Sequence, residues 1–194
     1  MDITRGVLFT AVTMVLFGGA YPVALWTVGG FLFPSRAQGS LIRRDNGSVI
    51  GSRLIAQPFS APEYFHPRPS AVDSNAASTG GSNLGPSNPE HLALVQARLG
   101  TITARESVAP GQVPSEMITA SGGGLDPHIP PAAARLQAAR VAAARGTDRD
   151  RVTALIGAHT EPPSLGFLGR ARVNVLELNL ALDERFGRPV SRQR

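Results

Sequence analysis

The polar and apolar positions divide the chain into two unequal parts. No charged residue occurs from Gly6 to Ser35, and Val7–Phe33 contains thirteen Val, Leu and Phe residues. Arg5 and Arg36 close the run on either side. A bilayer core about 30 Å thick is crossed by about 20 helical residues. Each Val, Leu or Phe near its centre contributes roughly −0.3 to −0.6 kcal/mol to insertion. Thirteen of them outweigh Pro22 and the glycines, so the pattern predicts a transmembrane helix over about residues 7–30, in an N-terminal segment 1–35. Ser35-Arg36-Ala37 is a passable cleavage site. Signal-peptide cores are only about 7–15 residues long, however. This run is about twice that length, and a retained anchor is expected.

Within the run, Gly6, Thr10, Thr13, Phe17, Ala20, Ala24 and Thr27 follow at alternating steps of four and three. That spacing places them on one face of an uninterrupted α-helix. All but Phe17 are small. Small residues let helix backbones approach closely in lipid, so Gly6, Thr10, Thr13, Ala20, Ala24 and Thr27 are expected to meet a partner helix.

After residue 36 the pattern changes to short polar-punctuated segments. In 39–59, apolar residues on both sides of Asp45-Asn46-Gly47 read as a hairpin, the turn supplying residues tolerant of positive φ. Residues 57–89 hold six prolines with Gly, Ser and Asn, a linker-like composition. Phe59, Tyr64 and Phe65 lie inside this stretch, and disordered segments are poor in aromatics. An ordered irregular segment docked by its aromatics is therefore expected. Ser87 or Asn88 can cap a helix with Pro89 at its first position. Leu92, Val95, Leu99 and Ile102 carry that helix to about Arg105.

Residues 113–121 read as a short strand. Pro127, Pro130 and Pro131 lead into an alanine-rich helix over about 131–145, with Ala132, Leu136, Ala139 and Ala143 as its packing face and Gly146 as its stop. Thr147 and Asp150 have capping-box-like spacing for a helix over 148–158. A strand running into a helix is expected over 172–186. The mixture predicts an α/β domain over residues 36–194.

Composition narrows the chemistry. The chain has no Cys, so disulfides and thiolate metal sites are excluded. All 19 basic residues are Arg and the formal charge is +5. The arginines are scattered rather than gathered into a stripe, which argues against nucleic acid as a partner. The run Gly122-Gly123-Gly124 precedes Asp126-Pro127 and a helix, and glycine loops at helix starts can cradle phosphate. A phosphate loop of the usual kind needs Lys, and this sequence has none. The dinucleotide fingerprint is also missing. His66, His91, His128 and His159 lack metal-ligand spacing, so no metal site is expected. No nucleophile elbow occurs. Ser121, Asp126 and His128 lie too close along one loop to form a triad readily, and no catalytic residue is assigned.

The motifs "GSRLIAQPF", "YFHPRPSA", "STGGSNLGPSN", "ITASGGGLDPHI", "AAARLQAARVAAARG" and "RVNVLELNLALD" occur in that order behind the apolar run. Together they resemble the family of C subunits (KdpC) of the Kdp potassium-transporting P-type ATPase. The resemblance implies one membrane helix and an extracytoplasmic α/β domain in the cell (inner) membrane. It implies a non-catalytic accessory subunit that assembles and stabilises a complex. The partners would be a channel-like potassium-binding subunit, an ATP-hydrolysing subunit and a small membrane subunit, within the lipid bilayer. ATP and potassium would be handled by the complex, with no cofactor in this chain. The family's description as a catalytic chaperone, raising the ATP affinity of the hydrolysing subunit, points to Gln137 as the nucleotide-linked residue. An extracytoplasmic Gln137 cannot touch cytoplasmic ATP, so any such effect would be coupling across the membrane.

The sequence departs from the family pattern at Gly123 and Pro130, where serines are common. The glycines that remain indicate that Gly122, Gly123, Gly124, Asp126 and Pro127 form a structural loop rather than a phosphate cradle. Arginine counts by themselves favour the opposite orientation, with Arg36, Arg43 and Arg44 on the C-terminal side against Arg5 on the other.

Overall fold

The computed structural model describes residues 3–188. The chain divides between Ser52 and Arg53 into two compact units.

The first unit begins with helix α1 (Ile3–Val15), a π-helical turn (Leu16–Ala20) and helix α2 (Tyr21–Leu32), one continuous rod. At about 1.5 Å per residue its 30 residues span about 45 Å, longer than the hydrocarbon core. The π-turn has a local cause. Pro22 cannot donate to the carbonyl four residues back, and its ring crowds that carbonyl. Gly18 and Gly19 lie just before it, and the Tyr21 N–H donates to Leu16 O, five residues back. The chain widens by one residue where the proline demands it. Helix α3 (Pro34–Ala37) then leads to strands β1 (Leu41–Arg43) and β2 (Val49–Ser52). These pair antiparallel around the expected Asp45-Asn46-Gly47 turn. Gly47 sits at φ +80°, and Asn46 Oδ1 accepts from Ser48 N–H at 3.0 Å.

The second unit is a mixed α/β domain. Helix α4 (Pro89–Glu106) starts at Asn88, whose side chain accepts from Glu90 N–H. A 3-10 turn (Pro110–Gln112) and the one-turn helix α5 (Ser115–Ile118) follow. The strand expected over 113–121 is therefore absent. Pro110 and Pro114 remove two ladder donors in five residues, and the chain coils so that Met117 is buried.

Strand β3 (His128–Ile129) leads into helix α6 (Pro131–Arg145), then helix α7 (Arg149–Ala158), strands β4 (Thr160–Glu161) and β5 (Arg172–Asn174), and helix α8 (Val175–Phe186). The sheet order is β3-β5-β4, all antiparallel, with Ile129 and Thr160 both opposite Val173. Asn174 ends β5 and caps α8 by accepting from Glu177 N–H.

The core lies around α6. Ala133, Ala134, Ala138, Val141 and Ala142 are buried against Val152 and Ile156 of α7, Leu178 and Leu182 of α8, and Val173. The expected packing face lies on the opposite side of the helix from the buried one, Ala133, Ala134, Gln137, Ala138, Val141 and Ala142. Ala132, Ala139 and Ala143 are exposed, and Leu136 is half-buried. Small side chains on every side of α6 leave its hydropathy almost without a phase. The capping expectation at Thr147 is also corrected. Asp148 is the N-cap residue of α7, without a side-chain cap bond, and Thr147 Oγ1 is buried without a partner. Gly146 ends α6 in the left-handed region, as expected.

Candidate functional site

The glycine loop lies against residues 70–81. Ser70 Oγ donates to Gly124 O at 2.7 Å, Thr79 Oγ1 donates to Gly123 O at 3.1 Å, and Gly80 N–H donates to Gly123 O at 3.2 Å. The loop therefore offers carbonyls to a neighbouring segment. Gly124 combines φ +70° with close approach. A Cβ there would lie 2.5 Å from Val72 Cγ2 and 3.1 Å from Gly80 O. At Gly122 a Cβ would meet nothing within 4 Å. Left-handed strain costs roughly 1–2 kcal/mol, and overpacking typically about 1–3 kcal/mol. Gly124→Ala is thus expected to destabilise the domain by about 2–4 kcal/mol, and Gly122→Ala by less than about 0.5 kcal/mol. Thermal unfolding of the two variants measures the contrast, and equal effects would contradict the packing role.

Asp126 and Pro127 fix the approach to α6. Asp126 Oδ1 accepts from His128 N–H at 3.0 Å and lies 3.2 Å from His128 Nδ1. Arg68 reaches Asp126 Oδ2 at 3.2 Å. Burial alone would raise the Asp126 carboxyl. The His128 bonds and the Arg68 charge outweigh it and hold the group below its usual range. Pro127 is buried, and its carbonyl accepts from Val175 N–H. No hydrogen bond joins Ser121 to His128 among the described residues; Ser121 N–H instead donates to Pro69 O.

Below the loop lies a polar network that binds the extended segment 62–66 to the core. Gln137 is fully buried on α6. Its Oε1 accepts from His66 N–H at 2.8 Å, and its Nε2 donates to His66 O at 3.2 Å. Asn179 on α8 does the same for the preceding residue. Phe65 N–H donates to Asn179 Oδ1 at 2.8 Å, and Asn179 Nδ2 donates to Phe65 O at 3.0 Å. Two side-chain amides thus replace the neighbours that a strand would have in a sheet. Every buried backbone group needs such a partner, which explains how a proline-rich segment is ordered. The expectation of aromatic docking is met as well. Phe65 enters the core, and Tyr64 lies under the Arg145 guanidinium.

Arginines complete the network. Arg140 Nε meets both Glu106 oxygens, at 3.0 and 3.1 Å. Its other nitrogens donate to Tyr64 O at 3.0 Å, to Gln137 Oε1 at 2.8 Å and to Pro62 O. Burial pulls the Arg140 guanidinium below its usual value, against the opposing pull of Glu106. The Glu106 side chain is 0 % exposed and also meets Arg105 Nε at 2.7 Å. Arg145 donates to Glu63 O and to Asp183. Asp183 Oδ2 accepts from Tyr64 Oη, and burial followed by the Asp183 charge raises the Tyr64 hydroxyl. Burial is also the main cause that lowers His66.

Sequence reading missed Glu106, Arg140, Arg145 and Asn179. The signal for them was weak, because charged residues on helices are ordinarily read as solvent-facing. The Gln137 amide is engaged from both ends by groups of its own domain. Among the described residues, no group of three or more His, Cys, Asp or Glu gathers as a metal site would require.

The small-residue face of the N-terminal apolar helix is not one stripe. Moving from α to π geometry inserts a residue and rotates the remainder of the helix by about 100°. Gly6, Thr10 and Thr13 form one small patch on α1. Ala20, Ala24 and Thr27 form a second, on the end of the π-turn and on α2. The hydroxyls of Thr13 and Thr27 donate to carbonyls of their own helix, at Phe9 and Val23, so neither needs a partner to be satisfied in lipid.

Comparison with known proteins agrees along most of the chain. The family model described as "KdpC: K+-transporting ATPase, c chain" matches residues 3–184. The potassium-transporting ATPase KdpC subunit of Rhodospirillum rubrum is 55% identical over 185 residues, covering 93% of each chain. That of Geobacter sulfurreducens is 46% identical, covering 94% of this chain and 97% of its own. That of Citrifermentans bemidjiense is 47% identical, covering 96% and 99%. With an apolar helix of spanning length ahead of a mixed α/β domain, this chain belongs to the KdpC family, the c-chain subunits of potassium-transporting ATPases.

Proposed function

We propose that the chain is a non-catalytic accessory subunit that holds the channel-like and ATP-hydrolysing subunits of a potassium importer together. Membership of the c-chain family carries this reading, with the single apolar helix Ile3–Leu32 as its anchor. The helix crosses the cell membrane once and leaves the domain on the extracytoplasmic side. Its two small patches, Gly6/Thr10/Thr13 and Ala20/Ala24/Thr27, meet neighbouring membrane subunits, the small one included. Close backbone approach supplies the packing where no hydrophobic force operates.

Any influence on ATP affinity passes through the assembled complex, by coupling of about 1–3 kcal/mol. The burial of Gln137 and the occupation of its amide support this route over direct contact with nucleotide.

Purified complex lacking this chain is expected to lose potassium-dependent ATPase activity and subunit association. In intact spheroplasts, external protease is expected to digest a C-terminal tag. Full potassium-dependent activity without the chain would sink the accessory role, and a protected tag would sink the orientation.

A further inference from the structure

We propose that the domain carries a binding site for a small organic carboxylate, in the cavity between helix α4 and the extended segment 59–69. The cavity measures about 390 Å³, at the lower end of the range for small-molecule sites. Phe59, Ile102 and Met117 supply apolar wall, while Arg68, Arg98 and Arg105 bring three guanidinium groups to it. No carboxylate is among its lining residues.

The arginines are only partly satisfied by the protein. Arg98 donates to a neutral carbonyl, that of Ile118, at 3.2 Å. Arg68 holds Asp126 through one terminal nitrogen, yet its Nε is buried and has no hydrogen-bond partner. Arg105 pairs with Glu106, but Arg140 shares that carboxylate. The three lining arginines thus have two carboxylates near them, Asp126 and Glu106, neither of which lines the cavity, and Glu106 is shared with Arg140. Burial first, and then the fields of Arg105 and Arg140, lower the His66 ring against the opposing hydrogen bond to Ala61 O.

A concentration of like charge beside apolar wall calls for a counter-ion that also has a carbon body. A planar guanidinium matches a carboxylate through two parallel bonds. A single oxyanion on an aliphatic or aromatic body fits both the volume and the charge.

Met117 lines the cavity, and Met14 lies in the membrane helix. This pairing gives an internal control. The full-length chain, labelled with 13C-methyl methionine in neutral detergent, is titrated with 4-phenylbutyrate and with its uncharged analogue 4-phenylbutanol. Saturable movement of the Met117 methyl by the acid is expected, while the alcohol leaves Met117 in place and moves at most Met14 by partitioning into the micelle. Arg98→Gln is expected to weaken the acid about tenfold, the loss of one charge-assisted contact. Ala97→Trp, at an exposed wall position, is expected to abolish the Met117 response without altering the unfolding temperature. A Met117 signal insensitive to the acid would overturn the proposal. Equal response to the alcohol, unchanged affinity in Arg98→Gln, or displacement of the acid by ATP at matched ionic strength would overturn it too.

Discussion

Replacing Glu106 by glutamine is expected to destabilise the domain by about 3–5 kcal/mol, the cost of breaking a buried ion pair from one side. The substitution keeps the shape of the side chain and removes its charge. Arg140, with its side chain only 11 % exposed, then loses the charge of its ionic partner. Arg140 also holds the carbonyls of Pro62 and Tyr64 and the amide of Gln137. The damage should therefore reach the strapped segment as well as the end of α4. Thermal unfolding of the full-length chain in detergent measures the loss. An exposed pair would contribute only about 0–1 kcal/mol, so a drop in that range would show that Glu106 does not anchor the network. High salt should restore little, because buried pairs are weakly screened.

Removing the amide of Gln137 is the second large effect. Gln137→Ala leaves the N–H and C=O of His66 without their partners and opens a void in the core. Each buried group left unpaired costs about 1–3 kcal/mol, and the expected total is about 3–4 kcal/mol. Hydrogen exchange should accelerate at the His66 amide, and proteolysis should begin within residues 57–70, while α7 stays protected. The same loss of stability with and without ATP would agree with a structural role. A Gln137→Ala chain of unaltered stability, in a complex whose ATP affinity alone had fallen, would return the residue to the nucleotide. Gln137 is thus the position at which a fold-level role and a nucleotide-linked role make opposite predictions.

The elements differ in how plainly the sequence announces them. The N-terminal helix is legible because the run from Gly6 to Ser35 holds no charge and is long and apolar enough to cross a membrane. Helix α4 is legible because Asn88, Pro89 and the spaced apolar residues each mark the same start. The β5–α8 junction is legible as a strand running into a helix, and the structure adds that Asn174 caps it. Helix α6 is legible as a helix but not in its orientation. Alanine on every side gives the strongest helix propensity and the least contrast between faces, so the predicted face fell on the opposite side of the helix. The 113–121 segment misled because a short stretch with a few apolar residues reads as a strand, while Pro110 and Pro114 exert their effect through backbone hydrogen bonds.

By itself, the sequence determined the apolar helix of spanning length, the hairpin, the longer helices, the start of α4 at Asn88 and, through its ordered motifs, the family. These depend on local polarity and on residues near one another along the chain. The tertiary structure alone decided what the polar side chains of the core are for. Gln137 meets His66 across 71 positions, and Asn179 meets Phe65 across 114. A side-chain amide has the same composition whether it faces water or replaces a missing strand. Only the folded chain brings it the backbone groups that make the difference, because an unpaired donor or acceptor becomes costly only once water has been excluded.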